Sequence, residues 1–173
     1  MSNDSFDVHK KDQPPPNWHI VNCTTPAQYF HVLRRQMHRT YRKPLIVASP
    51  KSLLKSPLAV SSLKEMAPGT HFQPILSDPI IRDPSKIKKV VFLSGKFYYD
   101  LVKEREKRGL DDTIALIRVE ELCPFPKTEL QDEISKFSGA QEFIWCQEEP
   151  QNAGAYAFMA PRLAQILPEN KVK

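Results

Sequence analysis

The residues best suited to chemistry are two pairs of adjacent glutamates, each placed at the end of a predicted strand. Glu120 and Glu121 follow the apolar run 114–119, and Glu148 and Glu149 follow the run 142–146. Ligands of open α/β sheets bind at the carboxyl ends of the strands, so these carboxylates are candidates for a polar site. Because adjacent side chains diverge, at most one member of each pair is expected to point into a shared site.

A second candidate is the tripeptide Ser94-Gly95-Lys96, which lies between a predicted strand and a predicted helix. The first turn of a helix attracts anions through its free amide groups and its dipole. The sequence contains neither the P-loop nor the dinucleotide-binding glycine pattern. The alternative to an anion site is a sharp turn at Gly95 with Lys96 exposed to solvent.

Other kinds of site lack a complete set of residues. His31 and His38 share a helix face but have no third metal ligand nearby. Cys146 has no histidine base in its segment, which favours a small core residue over a nucleophile. The basic residues between Arg34 and Lys43 suit phosphates, an acidic protein face or plain solvation. The sequence therefore predicts no metal ligand and no self-sufficient catalytic site, and nucleic-acid binding is disfavoured.

An alternation of strands and helices must position these side chains. Strands are predicted at 18–22, 45–48, 90–93, 114–119 and 142–146, and helices at 26–41, 97–108, 128–137 and 155–167. This order predicts an α/β fold with a mostly parallel sheet and helices on both faces. Residues 52–66 are expected to form one or two short helices.

Two details of this pattern predict burial. The first helix, capped by Thr25, carries an apolar stripe that we expect to face the core. The strand 45–48 is a continuous apolar run, typical of a strand buried on both faces. Thr128 is the predicted cap of the third helix. The members of the stripe are Tyr29, Phe30, Leu33, Met37 and Tyr41.

Composition limits the class of protein. Hydrophobic residues make up 40% of the 173 residues, and the net charge is +5. No apolar run approaches the roughly 20 residues of a bilayer span, so no membrane partner is expected. Three cysteines without a C-x-x-C pair favour a reducing compartment. Residues 1–16 have no features of a signal or transit peptide and are predicted to be a polar lead-in, with one domain over 17–173.

Seven stretches of the chain together resemble a known family. The sequence is similar to the C-terminal region of the dehydrogenase (first) component of the 2-oxoglutarate dehydrogenase complex. It resembles equally well the related 2-oxoadipate dehydrogenase, known as dehydrogenase and transketolase domain-containing protein. The similar stretches are 25–36 (TPAQYFHVLRRQ), 42–47, 49–54 (SPKSLL), 68–72 (PGTHF), 94–101, 118–126 (RVEELCPFP) and 145–152 (WCQEEPQN).

The resemblance implies a thiamine-diphosphate enzyme that decarboxylates a 2-oxo acid and passes the acyl group to a lipoyl carrier. The thiamine- and magnesium-binding domains of that family precede the similar region, so the resemblance assigns no catalytic or cofactor residue to this chain. It implies three partners: the remainder of the dehydrogenase chain, its dimer mate and the lipoyl acyltransferase component. The implied location is the mitochondrial matrix in a eukaryote and the cytoplasm in a bacterium.

The same resemblance implies a transketolase C-terminal-like α/β domain that supports the dimer and is inactive alone. Family members that bind acyl-CoA make Arg34, Lys51 and Lys127 anion candidates here. The alternative function is a free-standing anion- or acyl-CoA-binding module without catalysis. The family continues past the Leu167-Pro168 position into a further strand, so we expect a sheet that is truncated near Val172.

Overall fold

The computed structural model describes residues 17–167, which contain seven strands and four α-helices. The three short 3₁₀ helices are Leu53–Lys55, Leu63–Met66 and Pro84–Lys86, and the first two confirm the prediction for 52–66. The strands and helices are β1 (His19–Val21), α1 (Pro26–His38), β2 (Leu45–Val47), β3 (Ile75–Leu76), β4 (Lys89–Leu93), α2 (Phe97–Lys107), β5 (Ile114–Val119), β6 (Glu121–Cys123), α3 (Lys127–Ser135), β7 (Glu142–Trp145) and α4 (Tyr156–Leu163).

The strands form two sheets, in the orders β2-β1-β6 and β3-β5-β4-β7. β1 is parallel to β2, and β4 is parallel to both β5 and β7. β6 and β3 are antiparallel to their neighbours β1 and β5. The α/β fold and its largely parallel pairing are confirmed. The sequence did not predict β3 and β6: β3 has only two residues, and β6 follows β5 after a single residue without a turn signal between them.

The main core lies between the four-stranded sheet and the last two helices. Apolar side chains of β4 and β5 pack there against those of α3 and α4. This burial is what a strand sequence that is apolar throughout predicts. The strand β2 is confirmed, but its predicted burial on both faces was wrong, because it lies at a sheet edge and leaves Ile46 42% exposed. Fully buried members of the core are Val90, Phe92, Ile117, Leu130 and Met159.

Helix α1 has the opposite orientation to the one that its apolar stripe predicts. Met37 is 74% exposed and Tyr29 is 44% exposed, whereas the buried face consists of Ala27, Gln28, His31, Val32 and Arg35. The buried polar side chains have partners from distant segments, which removes the cost of burying them. The Thr25 cap is confirmed, since its Oγ1 accepts a hydrogen bond from the Gln28 amide at 3.3 Å.

The last helices differ slightly from the prediction. Thr128 is not the cap of α3, because the helix begins at Lys127 after Pro126. α4 ends at Leu163, and turns continue to Leu167. The predicted strand start at Val172 lies outside the described residues. No helix of residues 17–167 is long and apolar enough to cross a membrane.

Candidate functional site

A buried ion pair links α1 to the start of β6. The Arg35 guanidinium donates to both carboxylate oxygens of Glu121, at 2.5 and 3.0 Å. The same carboxylate lies 3.2 Å from Nδ1 of His19 on β1. Burial alone would raise the pKa of Glu121, but the hydrogen bond with His19 and the charge of Arg35 outweigh it and lower the pKa. Glu121 is therefore held as a carboxylate.

Glu120 lies in a second buried contact, on the opposite side of the same backbone segment. Its two carboxylate oxygens accept hydrogen bonds from the Thr24 hydroxyl at 2.5 Å and the Thr24 amide at 2.9 Å. Arg118 Nη1 donates to the Thr24 hydroxyl at 3.2 Å. Tyr99 donates its hydroxyl proton to the Thr24 carbonyl at 2.7 Å. Burial raises the pKa of Glu120, which is completely inaccessible to solvent.

The two contacts together form what we call the buried polar junction: His19, Thr24, Arg35, Arg118, Glu120 and Glu121. Its members come from both sheets, since β1 and β6 belong to one and β5 to the other. The adjacent glutamates diverge as predicted, but the partners of both are internal. The junction therefore positions the two sheets and leaves neither carboxylate facing an external ligand.

A cleft of about 690 Å³ lies where strands of both sheets end. We call it the carboxyl-end cleft. Its polar lining includes Asn22 after β1, Ser94 and Lys96 after β4, and Glu148 after β7. Lys96 Nζ lies 2.5 Å from Glu148 Oε1. The structure thus brings together two candidates that the sequence placed 52 residues apart, the Ser94-Gly95-Lys96 turn and the second glutamate pair.

The Ser94-Gly95-Lys96 segment contains the sharp turn at Gly95 that the sequence offered as the alternative to an anion site. Gly95 has a positive φ of 70°, and a Cβ there would overlap the Asn22 side chain, so glycine is required by conformation and by space. Lys96 precedes α2, which has no side-chain cap. The anionic group next to Lys96 is the side-chain carboxylate of Glu148.

The three anion candidates from the resemblance lie on separate elements. Arg34 lies on α1 and donates through Nη2 to the Thr70 carbonyl. Lys51 is exposed just before the first 3₁₀ helix, and Lys127 is exposed at the start of α3. No contact described for residues 17–167 joins any two of them. Their role in anion binding stays a prediction.

The basic cluster and the histidines are also largely engaged in structure. Arg35 and Arg39 are buried, and His31 Nε2 lies 2.7 Å from the Glu65 carbonyl, to which it donates. Within residues 17–167, no three His, Cys, Asp or Glu side chains are grouped as metal ligands would be. Burial raises the pKa of the Cys146 thiol, which disfavours the reactive thiolate.

Sequence reasoning missed several members of the junction. Arg118 gave a usable signal, because a charged residue inside the apolar strand IALIRV requires a buried partner. Thr24 and His19 gave none, because their contacts with Glu120 and Glu121 span about a hundred residues of sequence.

Helix α1 presents an uncovered apolar surface. It continues onto the segment after β2, where Leu54 is 76% and Leu63 is 85% exposed. A groove of about 370 Å³ runs between the two parts and is lined by side chains that include Phe30, Leu33 and Leu53. We call this surface the α1 apolar face: Tyr29, Phe30, Leu33, Met37, Leu54, Leu58, Val60 and Leu63.

Comparison with known families shows to which family this chain belongs. The 2-oxoglutarate dehydrogenase C-terminal family matches residues 60–173, and the transketolase pyrimidine-binding domain matches residues 13–57. The chain belongs to the 2-oxoglutarate dehydrogenase C-terminal family. This confirms the resemblance seen in the sequence and the transketolase-like nature of the fold. The two matched ranges meet between residues 57 and 60, and the predicted division into 1–16 and 17–173 stays a prediction.

Individual relatives are similar over most of this chain. The human 2-oxoadipate dehydrogenase complex component E1 is 57% identical over 152 residues, which is 87% of this chain and 16% of the relative. A probable homologue from Dictyostelium discoideum is 53% identical over 88% of this chain and 17% of its own length. The rat 2-oxoglutarate dehydrogenase-like, mitochondrial protein is 48% identical over 87% of this chain and 15% of its own length. The chain thus spans about a sixth of these relatives.

The pyrimidine-binding match overlaps this chain, whereas the resemblance places the thiamine domains before it. Thiamine diphosphate needs cations for its phosphates and a magnesium ion held by oxygen ligands. Residues 17–167 group no three metal-ligating side chains, and Lys96 is neutralised by Glu148. Residues 17–167 therefore offer no grouped ligands for the magnesium ion and no unpaired lysine at the Ser94-Gly95-Lys96 turn for the diphosphate. The matched ranges also show that the buried polar junction joins the pyrimidine-binding part to the C-terminal part.

Proposed function

We propose that this chain is the structural, dimer-supporting region of a thiamine-diphosphate-dependent 2-oxo acid dehydrogenase and is inactive alone. The parent enzyme decarboxylates 2-oxoadipate or 2-oxoglutarate and transfers the acyl group to the lipoyl carrier of an acyltransferase component. The names of the relatives support the reaction class, since they are E1 components of 2-oxoadipate dehydrogenase complexes. Thiamine diphosphate and magnesium are held by other parts of the parent, which works in the mitochondrial matrix.

The α1 apolar face is the observation that carries this proposal. Four large apolar side chains of one helix are exposed, although its buried face includes polar residues with internal partners. A contiguous apolar surface of this kind marks a contact with another protein surface. In the proposed enzyme, the remainder of the dehydrogenase chain and its dimer mate cover it.

A chimaera tests the structural role. The matched segment of the human relative is replaced by this chain, and dimerisation and turnover of 2-oxoadipate are measured in the full-length protein. We expect an active dimer. The double variant Leu33→Lys and Met37→Lys should give a folded but monomeric or inactive chimaera, because two charges then lie in an apolar interface.

A matched control lies on another helix. Lys103→Glu changes one exposed charge on α2 and should leave both readouts unchanged. A Leu33→Lys, Met37→Lys chimaera that remains a fully active dimer would contradict the structural role. Turnover of either 2-oxo acid by the isolated chain with thiamine diphosphate and magnesium would contradict its inactivity.

A second candidate is the anion- or acyl-CoA-binding module. Its support is the exposure of Lys51 and the position of Lys127 in the first turn of α3, where the helix dipole favours an anion. Arg34 is the third member of the proposed set. Calorimetry of the chain against coenzyme A and acetyl-CoA tests this function, and an absence of heat with both would exclude it.

A further inference from the structure

The carboxyl-end cleft has the size and lining of a small-molecule site. Its volume of about 690 Å³ falls in the range of ligand pockets, roughly 300–1,000 Å³. It lies at the carboxyl ends of β1, β2, β4 and β7, where open α/β sheets bind ligands. Aromatic and aliphatic side chains dominate the lining, which includes Trp18, Phe97, Trp145 and Phe158.

The charges of the cleft are unfavourable for an anion. Among residues 17–167, Lys96 is the single basic residue of the lining, and Glu148 already pairs with it. Glu149 also lines the cleft, and it strengthens the raised pKa of Lys96 that the hydrogen bond with Glu148 chiefly causes. Two carboxylates against one ammonium leave an excess negative charge, and aromatic faces also attract cations.

In the part of the chain that the structure describes, one buried polar atom of the cleft lining lacks a hydrogen-bond partner. Asn22 Oδ1 is buried and accepts no hydrogen bond. Asn22 packs against Gly95, so its amide is held in place beside the turn that leads into α2. A buried acceptor without a donor costs free energy, so this end of the cleft is less stable than its packing alone would make it.

We propose that the carboxyl-end cleft binds a small molecule that combines a flat aromatic body with a protonated amino group. The aromatic body packs among the rings of the cleft, and the ammonium group lies near Glu148 and Glu149. Arg34, Lys51 and Lys127 are not among the described lining residues, and the site does not depend on the proposed function.

Three probes of the same shape test the proposal: phenethylamine, phenethyl alcohol and phenylpropanoate. Each is titrated into the isotope-labelled full chain while amide and indole resonances are followed by NMR. We expect saturable shifts at Gly95, Gly154 and Trp145, with affinity falling in the order amine, alcohol, carboxylate. In the double variant Glu148→Gln, Glu149→Gln, the ratio of the amine affinity to the alcohol affinity should fall about fivefold. This is the effect of one charge at about 4 Å in water.

A blocking variant keeps the test decisive if the charge variant fails to fold. Ala48→Trp adds a ring at the exposed rim of the cleft and should abolish the shifts while the unbound spectrum stays native-like elsewhere. Shifts that cluster outside the cleft, or that survive in Ala48→Trp, would overturn the site. An absence of shifts with all three probes at millimolar concentration, or binding of the alcohol or carboxylate as tight as that of the amine, would overturn the ligand class.

Discussion

Arg35 and Glu121 show how a buried charge can be essential without adding much net stability. Removing both ions from water costs several kcal/mol each, about as much as their attraction returns. Their two hydrogen bonds nevertheless fix the direction of α1 relative to β6. Removing one partner therefore lowers the free energy of unfolding by much more than the net contribution of the pair.

Arg35→Ala should lower the free energy of unfolding by about 3–5 kcal/mol, because it leaves the Glu121 carboxylate buried with its charge uncompensated. Urea denaturation followed by circular dichroism measures this loss. Arg108→Ala is the matched control, since Arg108 pairs with Glu104 at the surface and its loss should barely change the midpoint. Equal midpoints for both variants would contradict the importance of the Arg35 contact.

Glu120 and Glu121 give opposite contributions to the pH dependence of stability. The pKa of Glu121 lies below the ordinary 4.5 in the folded state, so its stabilisation is present above that pH and is lost as pH falls through the lowered pKa. The pKa of Glu120 is raised above 4.5, mainly by burial. Its contribution is therefore present below 4.5 and is lost as pH rises through the raised pKa.

Glu120→Gln should make the unfolding free energy fall less, or not at all, as pH rises from 4.5 upward. The folded wild type binds the Glu120 proton more tightly than the unfolded chain in that window, and glutamine removes this difference. Urea midpoints across pH give the slope, which is the readout because a lost hydrogen bond with Thr24 shifts the whole curve. An unchanged slope would show that Glu120 titrates normally.

At the scale of elements, α1 shows what periodicity alone can predict. The sequence gives its start at Pro26 and its helical nature, both of which follow from local chemistry. It does not reveal the buried face, because the partners of Gln28, His31 and Arg35 lie between 34 and 86 residues away. The helical spacing of the apolar stripe was predicted correctly, but the face was wrong, since the stripe faces outward and not toward the core.

Two substitutions on α1 distinguish the two faces. Val32→Ala removes a completely buried side chain and should cost about 1–3 kcal/mol of unfolding free energy. Met37→Lys lies on the exposed stripe and should change it by less than about 0.5 kcal/mol. Denaturant unfolding of both variants measures the contrast, and a larger loss for Met37→Lys would restore the core-facing orientation that the sequence predicted.

The strands show the same limit of sequence information. β4 and β5 were predicted to within a residue or two, because a continuous apolar run between turns permits few other structures. The carboxyl-end cleft was predicted in part, as both its Lys96 turn and its Glu148 pair were candidates. Their contact was not, because only the parallel pairing of β4 with β7 brings the two strand ends together.

For the whole molecule, the buried polar junction makes two sheets into one unit. Trp18 precedes β1 in the three-stranded sheet, and Trp145 ends β7 in the four-stranded sheet, so each sheet carries one of the two tryptophans. The contacts of Thr24 and Arg35 with the glutamates cross from the pyrimidine-binding part to the C-terminal part. We therefore expect both sheets to unfold together.

Single-tryptophan variants measure this cooperativity. Trp18→Phe and Trp145→Phe each leave one fluorescent reporter, and the two urea midpoints should coincide. In the background of Thr24→Val, which removes the hydroxyl between Glu120 and Arg118, the midpoint reported by Trp18 should fall below that reported by Trp145. Separate midpoints already in the unmodified background would show that the junction does not couple the sheets.

The α1 apolar face bears on the abundance of this polypeptide in a cell. Chaperones and proteases recognise exposed apolar side chains. We therefore expect a copy of the chain whose apolar face stays uncovered to be degraded. Its abundance then follows the supply of the surface that shields it rather than its own rate of synthesis. Under the proposed function, we therefore expect the exposure of Met37, Leu54 and Leu63 to make the concentration of this chain depend on the supply of that covering surface.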